Sequence, residues 1–271
     1  MSLFFTKARL LGHLLRGAWT VGVRFPRATP EQRHAMNRAW SLRMLALCGM
    51  KLVVHNDSAR LDAGALVVSN HISWIDIYVI NAWRPTPFVS KAEVRQWPLI
   101  GWFAANLDTV FIEREKRSEA RRIMHELASR LERGELMCVF PEGTTTDGLG
   151  LKPFHSNMFQ APVSAGRPVQ PICIMYEDAQ GRQSTAPAYI DDLSLKDSLD
   201  AMLKSGPITA HVYVGEALEP GDDRRKLAAR AQEAVGAALE GMRGTAMAGS
   251  ALPDTRLSTG ELEAVSSRVR P

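Results

Sequence analysis

From residue 51 onward the chain alternates short β-rich runs, KLVVH, ALVVS, PFVSK, TVFIE, LMCVF, VQPICIM and ITAHVYVG, with stretches of helical texture. Such alternation leaves few ways to bury every apolar face, and the one it favours is an α/β domain: a mainly parallel central sheet flanked by helices. The longest helical pattern, RSEARRIMHELASRLERG (117–134), carries Ile123, Leu127 and Leu131 as one stripe and ends at Gly134. In a sheet of this kind chemistry is expected in the loops at the C-terminal strand ends, where helix N-termini converge. A polar turn and a final helix, roughly 222–242, follow the last strand. From Gly244 the composition turns to Ala, Gly, Ser, Thr and charge, which reads as a flexible tail, residues 244–271. The chain thus divides into an N-terminal arm (1–50), one domain (51–243) and that tail, with no internal repeat.

The arm differs in charge from everything after it. Residues 1–60 hold ten Lys and Arg against two Asp and Glu, a net of +8, whereas the whole chain carries only +4, so the remainder is net acidic by four. Leu3, Phe4, Phe5, Leu10, Leu11, Leu14, Leu15 and Trp19 are interleaved with Lys7, Arg9, Arg16 and Arg24. The cations interrupt the run too early for a helix that needs about 20 apolar residues to span a bilayer, and no small-residue cleavage site follows. An interfacial arm is the reading that remains. Next comes TPEQ (29–32), a capping box with proline at the first helical position, which predicts a helix. Met36, Trp40, Met44 and Leu47 form its apolar stripe, with Arg33, Arg38 and Arg43 largely off it. That helix suits docking on the domain and docking on an anionic membrane equally, and both readings stay open. Nucleic acid is excluded as a partner: the basic excess is confined to the apolar arm, and no helix-turn-helix or RNP signature follows. Cys48, Cys138 and Cys173 are odd in number, far apart and in apolar surroundings, which fits core thiols of a reducing compartment and neither a disulfide framework nor a zinc site.

NHISWID (70–76) follows the strand ALVVS. Positions five apart are about 140° out of phase on a regular helix, so His71 and Asp76 can meet only if the chain bends between them. SWID supplies the bend as Ser73 at the N-cap with an acid at the third helical position, starting the helix at Trp74. Asp76 then receives Nδ1 or Nε2 of His71, orients the ring, and leaves its other nitrogen as a general base. On their own, these residues fit a capped helix start as well as a catalytic couple. Two further strand ends accompany them. TVFIE leads into FIERE (111–115), and LMCVF leads into FPEGTTTDG (140–148), where a P-E-G-T turn can aim backbone N–H groups and Thr hydroxyls at an anion, with Gly143 permitting close approach.

That ordered set resembles the glycerolipid acyltransferase family, which contains the 1-acylglycerol-3-phosphate acyltransferases. The resemblance covers roughly residues 50–215: NHISWID, VFIERE, FPEGTTTDG and PVQPICI (168–174) match its four blocks in order, with SKAEV and WPLIG between the first two. It implies His71 as the base and Asp76 as its catalytic partner. It also implies that Arg114, assisted by Lys91, meets the acidic head group, and that Glu142, Gly143 and Thr144 help to hold the acyl acceptor. The implied reaction moves an acyl group from acyl-CoA or acyl carrier protein to the free hydroxyl of a lysolipid. No metal or cofactor is needed; the thioester is a co-substrate. The leading acceptor is 1-acylglycerol-3-phosphate, giving phosphatidic acid. FHSNMF (154–159) departs from a basic, glycine-containing stretch common in the family, and with TTTDG and ISWID it is similar to the branch that acylates lyso-ornithine lipids, the alternative acceptor. A guanidinium binds carboxylate and phosphate alike, so charge does not separate the two. The implied location is peripheral or monotopic, on the cytoplasmic face of an inner membrane. The non-enzymatic alternative is a membrane-binding module on an inactive fold.

The residues are consistent with that chemistry. No protein nucleophile is required, and PVSAG (162–166) places Pro162 where a G-x-S-x-G elbow needs its first glycine. H-E-x-x-H and Walker motifs are also missing. Trp97 and Trp102 flank WPLIGW, which fits core packing, a headgroup-level anchor or an acyl-channel wall.

Overall fold

The computed structural model of the protein describes residues 3–113 and 117–248. Its strands are β1 (Met50–His55), β2 (Leu66–Ser69), β3 (Val89–Lys91), β4 (Val110–Ile112), β5 (Met137–Val139), β6 (Val169–Asp178) and β7 (Ile208–Val214), one for each apolar run of the sequence. Its helices are α1 (Leu3–Trp19), α2 (Pro30–Leu47), α3 (Asp76–Trp83), α4 (Ile100–Asn106), α5 (Arg117–Glu132), α6 (Gln160–Ala165), α7 (Leu195–Lys204) and α8 (Arg224–Ala248). The central sheet has the order β1-β7-β6-β2-β5. β1 with β7, β6 with β2 and β2 with β5 pair in parallel, while β6 and β7 pair antiparallel. β3 and β4 form a small parallel ribbon that touches β5 through Phe88 and Cys138. The sheet is therefore mainly parallel in its pairings, with β1 and β7 running together against β6, β2 and β5.

Side chains alternate along each strand, and the alternation builds two apolar layers. Val67, Cys138, Ile172, Ile174 and Val212 face α2, α3 and α7; Leu66, Val68, Met137, Val139 and Met175 face α5, α6 and α8. The stripe Ile123, Leu127 and Leu131 is buried in the second layer. All three cysteines are free and buried, and burial pushes the Cys48 thiol up to about 12. α8 runs to Ala248, so the first residues read as tail are helical; residues 249–271 lie outside the described part.

The arm packs on the domain. The capping box forms: Thr29 Oγ1 accepts the Gln32 N–H at 3.3 Å, and Gln32 Oε1 accepts the Thr29 N–H at 2.9 Å. One face of α1, of the π turn after it (Thr20–Arg24) and of the 3-10 turn that follows (Phe25–Arg27) buries Leu10, Val21 and Phe25. His13 Nε2 donates to the Trp40 carbonyl at 3.0 Å, Trp40 Nε1 donates to the His13 carbonyl at 3.3 Å, and the rings stack at 5.2 Å. Gly17 makes this approach possible, since a Cβ there would sit 2.7 Å from Trp40 Nε1. Lys7 Nζ reaches Asp200 of α7 at 2.6 Å. The opposite face leaves Phe4, Phe5, Leu11, Leu15, Trp19 and Val23 exposed. Trp102 lies beside Gly22 and carries this apolar surface across to the exposed Trp97, Leu99 and Ile100. Among the described residues no helix is long and apolar enough to cross a membrane.

Candidate active site

β2 ends at Ser69, and Asn70 extends its ladder by one step with a side chain. The Asn70 amide donates to the Ile174 carbonyl at 2.9 Å and accepts the Ile174 N–H at 2.8 Å, doing for β6 what a further strand residue would do. The chain then leaves the sheet at His71. His71 Nδ1 donates to Asp76 Oδ2 at 2.8 Å, and the same oxygen accepts the N–H groups of Ile72 at 2.7 Å and Ser73 at 2.9 Å. This departs from the expected cap. The helix begins at Asp76 instead of Trp74, and Ser73 Oγ approaches only the Ile75 N–H, at 3.4 Å. The reason is that the Asp76 carboxylate folds back over the turn, takes its N–H groups, and keeps residues 70–75 as a loop.

The turn after β5 completes the frame. The Phe140 ring stacks on His71 with centroids 3.8 Å apart and planes 11° apart. Glu142 is buried, with Oε1 accepting the His71 N–H at 2.8 Å and Oε2 the Lys152 N–H at 2.7 Å. Burial pushes its carboxyl above the usual range, against the pull of those N–H groups. Thr146 N–H donates to the His71 carbonyl at 2.8 Å. Both backbone groups of His71 are thus held by the 140–146 loop while Asp76 holds its ring.

The sequence-expected anion nest is largely spent inside the protein. Gly143, in the left-handed region at φ 73°, donates its N–H to Phe140 at 3.1 Å to close the turn. The Thr146 N–H and hydroxyl go to His71, and the Thr145 hydroxyl goes to Tyr189. Thr144 is the exposed hydroxyl of the loop, and it faces the cavity. Glu142 is not among the residues lining the cavity; both of its oxygens are taken by backbone N–H groups, those of His71 and Lys152. Lys91 is exposed on the wall and pairs in register with Ile112. Arg114, two residues further on, lies outside the described part.

His71, Lys91, Phe140, Gly143 and Thr144 border a cavity of about 1190 Å³, somewhat larger than the usual small-molecule site of about 300–1,000 Å³. Its polar rim also carries Lys152, Asp147, Asp191 and Asp192. Its apolar walls include Trp97 and Phe103, together with Leu10, Leu14, Trp40 and Met44 of the arm. The parts played here by Phe140, Asn70 and Thr146 were not legible in the sequence, nor was that of Tyr176, whose phenol donates to Asp76 Oδ1 at 2.5 Å. Chemically, an imidazole with Nδ1 tied to a buried carboxylate can take a proton at Nε2 from a hydroxyl in the cavity. Among the described residues no group of three or more His, Cys, Asp and Glu is placed to hold a metal ion.

Comparison with known proteins places the chain in a family. The sequence model of the Acyltransferase family matches residues 51–175. A lyso-ornithine lipid O-acyltransferase of Pseudomonas aeruginosa is 38% identical over 89% of this chain and 95% of its own length. A 1-acyl-sn-glycerol-3-phosphate acyltransferase of Neisseria meningitidis is 31% identical over 87% and 94%. In fold, the chain is similar to the crystal structure of the 1-acyl-sn-glycerophosphate acyltransferase PlsC from Thermotoga maritima, with a TM-score of 0.64 over 88% of this chain and 97% of that one at 21% identity. The turn that couples His71 to Asp76 and the loop that grips it both fall inside the matched family region, and the chain belongs to the acyltransferase family.

Proposed function

We propose that the protein transfers an acyl group from a thioester, acyl-CoA or acyl carrier protein, to the hydroxyl of a lysolipid at a membrane surface. The observation that carries this reading is the 2.8 Å His71–Asp76 bond at the border of a cavity with a polar rim and apolar walls. His71 Nε2 removes the hydroxyl proton as that oxygen attacks the thioester carbonyl. Asp76 stabilises the imidazolium. The tetrahedral intermediate collapses with cleavage of the C–S bond, the thiolate takes the proton back from Nε2, and an ester remains.

Two acceptors fit the chemistry. Lys91 and Lys152 at the rim suit the phosphate of 1-acylglycerol-3-phosphate. Asp147, Asp191 and Asp192 at the same rim suit an ammonium, which lyso-ornithine lipid carries beside its carboxylate and the glycerol phosphate does not. This mixed rim, and the higher identity to the Pseudomonas aeruginosa enzyme, favour the ornithine lipid as a second reading of equal standing to the first. The exposed apolar face of α1 with the interleaved cations supports attachment to an anionic lipid surface, on the cytoplasmic side of an inner membrane where acyl thioesters are available. The test is transfer from labelled acyl-CoA and acyl carrier protein to both acceptors, by wild type and His71→Ala. Wild type acylates one of them, and the variant loses about 10²- to 10⁴-fold. Equal rates for the two proteins refute the mechanism, and no transfer to either acceptor refutes the function.

A further inference from the structure

Asp76 is fully buried, and its two oxygens have different duties. Oδ2 takes the His71 ring and the N–H groups of Ile72 and Ser73, while Oδ1 takes the phenol of Tyr176 at 2.5 Å. Tyr176 is itself fully buried, near the end of β6 and on the sheet face shared with Ile172, Ile174 and α3. Burial first, and then the negative charge of Asp76, push the phenol well above its ordinary range, so it keeps its proton and is the donor. A buried phenol needs some partner, and any carbonyl would satisfy it. Here the partner is the carboxylate that orients the candidate base. β6 is also tied to β2 immediately beforehand, through Asn70 and Ile174.

Resting on the acyl-transfer reading, we infer that Tyr176 is a positioning residue for the reaction: its phenol, donating to Asp76 Oδ1, fixes the carboxylate's rotation and draws off part of the charge presented to His71. Without that donor the negative charge concentrates on Oδ2, and His71 holds its proton more firmly. The other titratable side chains around this pair are Glu142, which accepts the His71 N–H, and buried Cys138 near Asp76, and removing the phenol leaves both in place. An imidazole acting as a base must be unprotonated, so the rate then recovers only at higher pH. A purely structural phenol predicts no such change in pH dependence.

The experiment is kcat/KM against pH, from about 5.5 to about 9.5, for wild type, Tyr176→Phe, His71→Ala and the double variant, with thermal melts of each. Y176F loses about tenfold near pH 7, its acidic limb moves up by about one pH unit, and part of the loss returns in alkaline buffer. The double variant is no slower than H71A, because a residue acting through His71 has nothing left to act on. Should Y176F not fold, 3-fluorotyrosine placed at position 176, a stronger donor of nearly the same shape, moves the acidic limb down instead. An unchanged profile, or a loss equal at every pH and additive with H71A, overturns the inference alone. A wild type that acylates neither acceptor overturns the proposed function and this inference with it.

Discussion

Asn70→Ala tests the join between sheet and site. Asn70 is fully buried, and its amide makes a reciprocal pair with the backbone of Ile174, 2.9 Å as donor and 2.8 Å as acceptor. Alanine removes both bonds and leaves an N–H and a carbonyl of β6 without partners in a closed place. An ordinary hydrogen bond contributes about 1 kcal/mol, and a buried group left unmet costs about 1–3 kcal/mol. Together these give about 3–5 kcal/mol, a large fraction of the ~5–15 kcal/mol that holds a typical domain folded, and roughly a 10 °C fall in Tm at this chain length. Asn70→Asp is the sharper probe because it keeps the shape. Its carboxylate still accepts the Ile174 N–H, but it turns a negative oxygen toward the Ile174 carbonyl, so it is at least as destabilising as alanine. Urea unfolding followed by tryptophan fluorescence reads both variants, as a lowered midpoint at an unchanged slope. An alanine variant within about 1 kcal/mol of wild type, or an aspartate variant as stable as wild type, would refute the hydrogen-bond accounting.

Glu142 gives a pH-dependent contrast. Its folded pKa lies above the ordinary 4.5 because it is buried, so its contribution to stability is complete below that value and is lost as pH rises through the folded value. Glu142→Gln does not titrate, and its stability deficit against wild type therefore narrows between about pH 4 and about pH 7 in paired thermal melts; a widening deficit contradicts the assignment. Gly17→Val forces a side chain against the Trp40 indole, 2.7 Å from the position of its Cβ, at a cost of about 1–3 kcal/mol. Trypsin then cleaves the loosened arm faster, whereas unchanged cleavage would place the α1–α2 contact elsewhere. Leu15→Ser with Trp19→Ser removes two exposed apolar side chains, each worth about 1.5–3 kcal/mol when buried. Binding to anionic liposomes falls more than tenfold while transfer to a short-chain, water-soluble acceptor is retained; undiminished liposome binding would mean that another surface attaches the protein.

Much of this architecture was legible because its signals are local. Each strand is an apolar run closed by Gly, Pro or polar residues, α5 declares itself through Ile123, Leu127 and Leu131, and TPEQ names its own cap. His71 and Asp76 are close in sequence, so their encounter depends on one turn. Tyr176 is 100 residues from Asp76, in a run where any large apolar residue would satisfy the pattern, and only the assembled sheet brings the phenol to the carboxylate. The motif around Glu142 specifies an acid without saying which way it faces, and its two oxygens turn inward to backbone N–H groups. Thr145 and Thr146 promised anion donors because sequence shows hydroxyls and not who has already claimed them. The antiparallel join of β7 to β6 likewise has no local signature, since an alternating strand reads the same in either direction.

The arm joins the two halves of the proposed function. α1 is apolar on opposite sides: Leu10 and Leu14 line the cavity, while Phe4, Leu11, Leu15 and Trp19 face outward. An exposed apolar face of this extent is unfavourable in water, and the inner side is already fixed by Trp40 and by the Lys7–Asp200 ion pair. On the proposed function, the outer face and the adjoining Trp97, Leu99, Ile100 and Trp102 are the apolar surface offered to lipid. The same helix is then both membrane-facing and wall of the cavity, so a lysolipid can slide its chain along Leu10, Leu14 and Trp97 without crossing water. In that pose its head group meets the charged rim, and the hydroxyl beside the head group arrives at the His71 end. Selectivity for the hydroxyl thus follows from where the chain is held as much as from the base that activates it, because positioning alone accounts for a large share of such a rate.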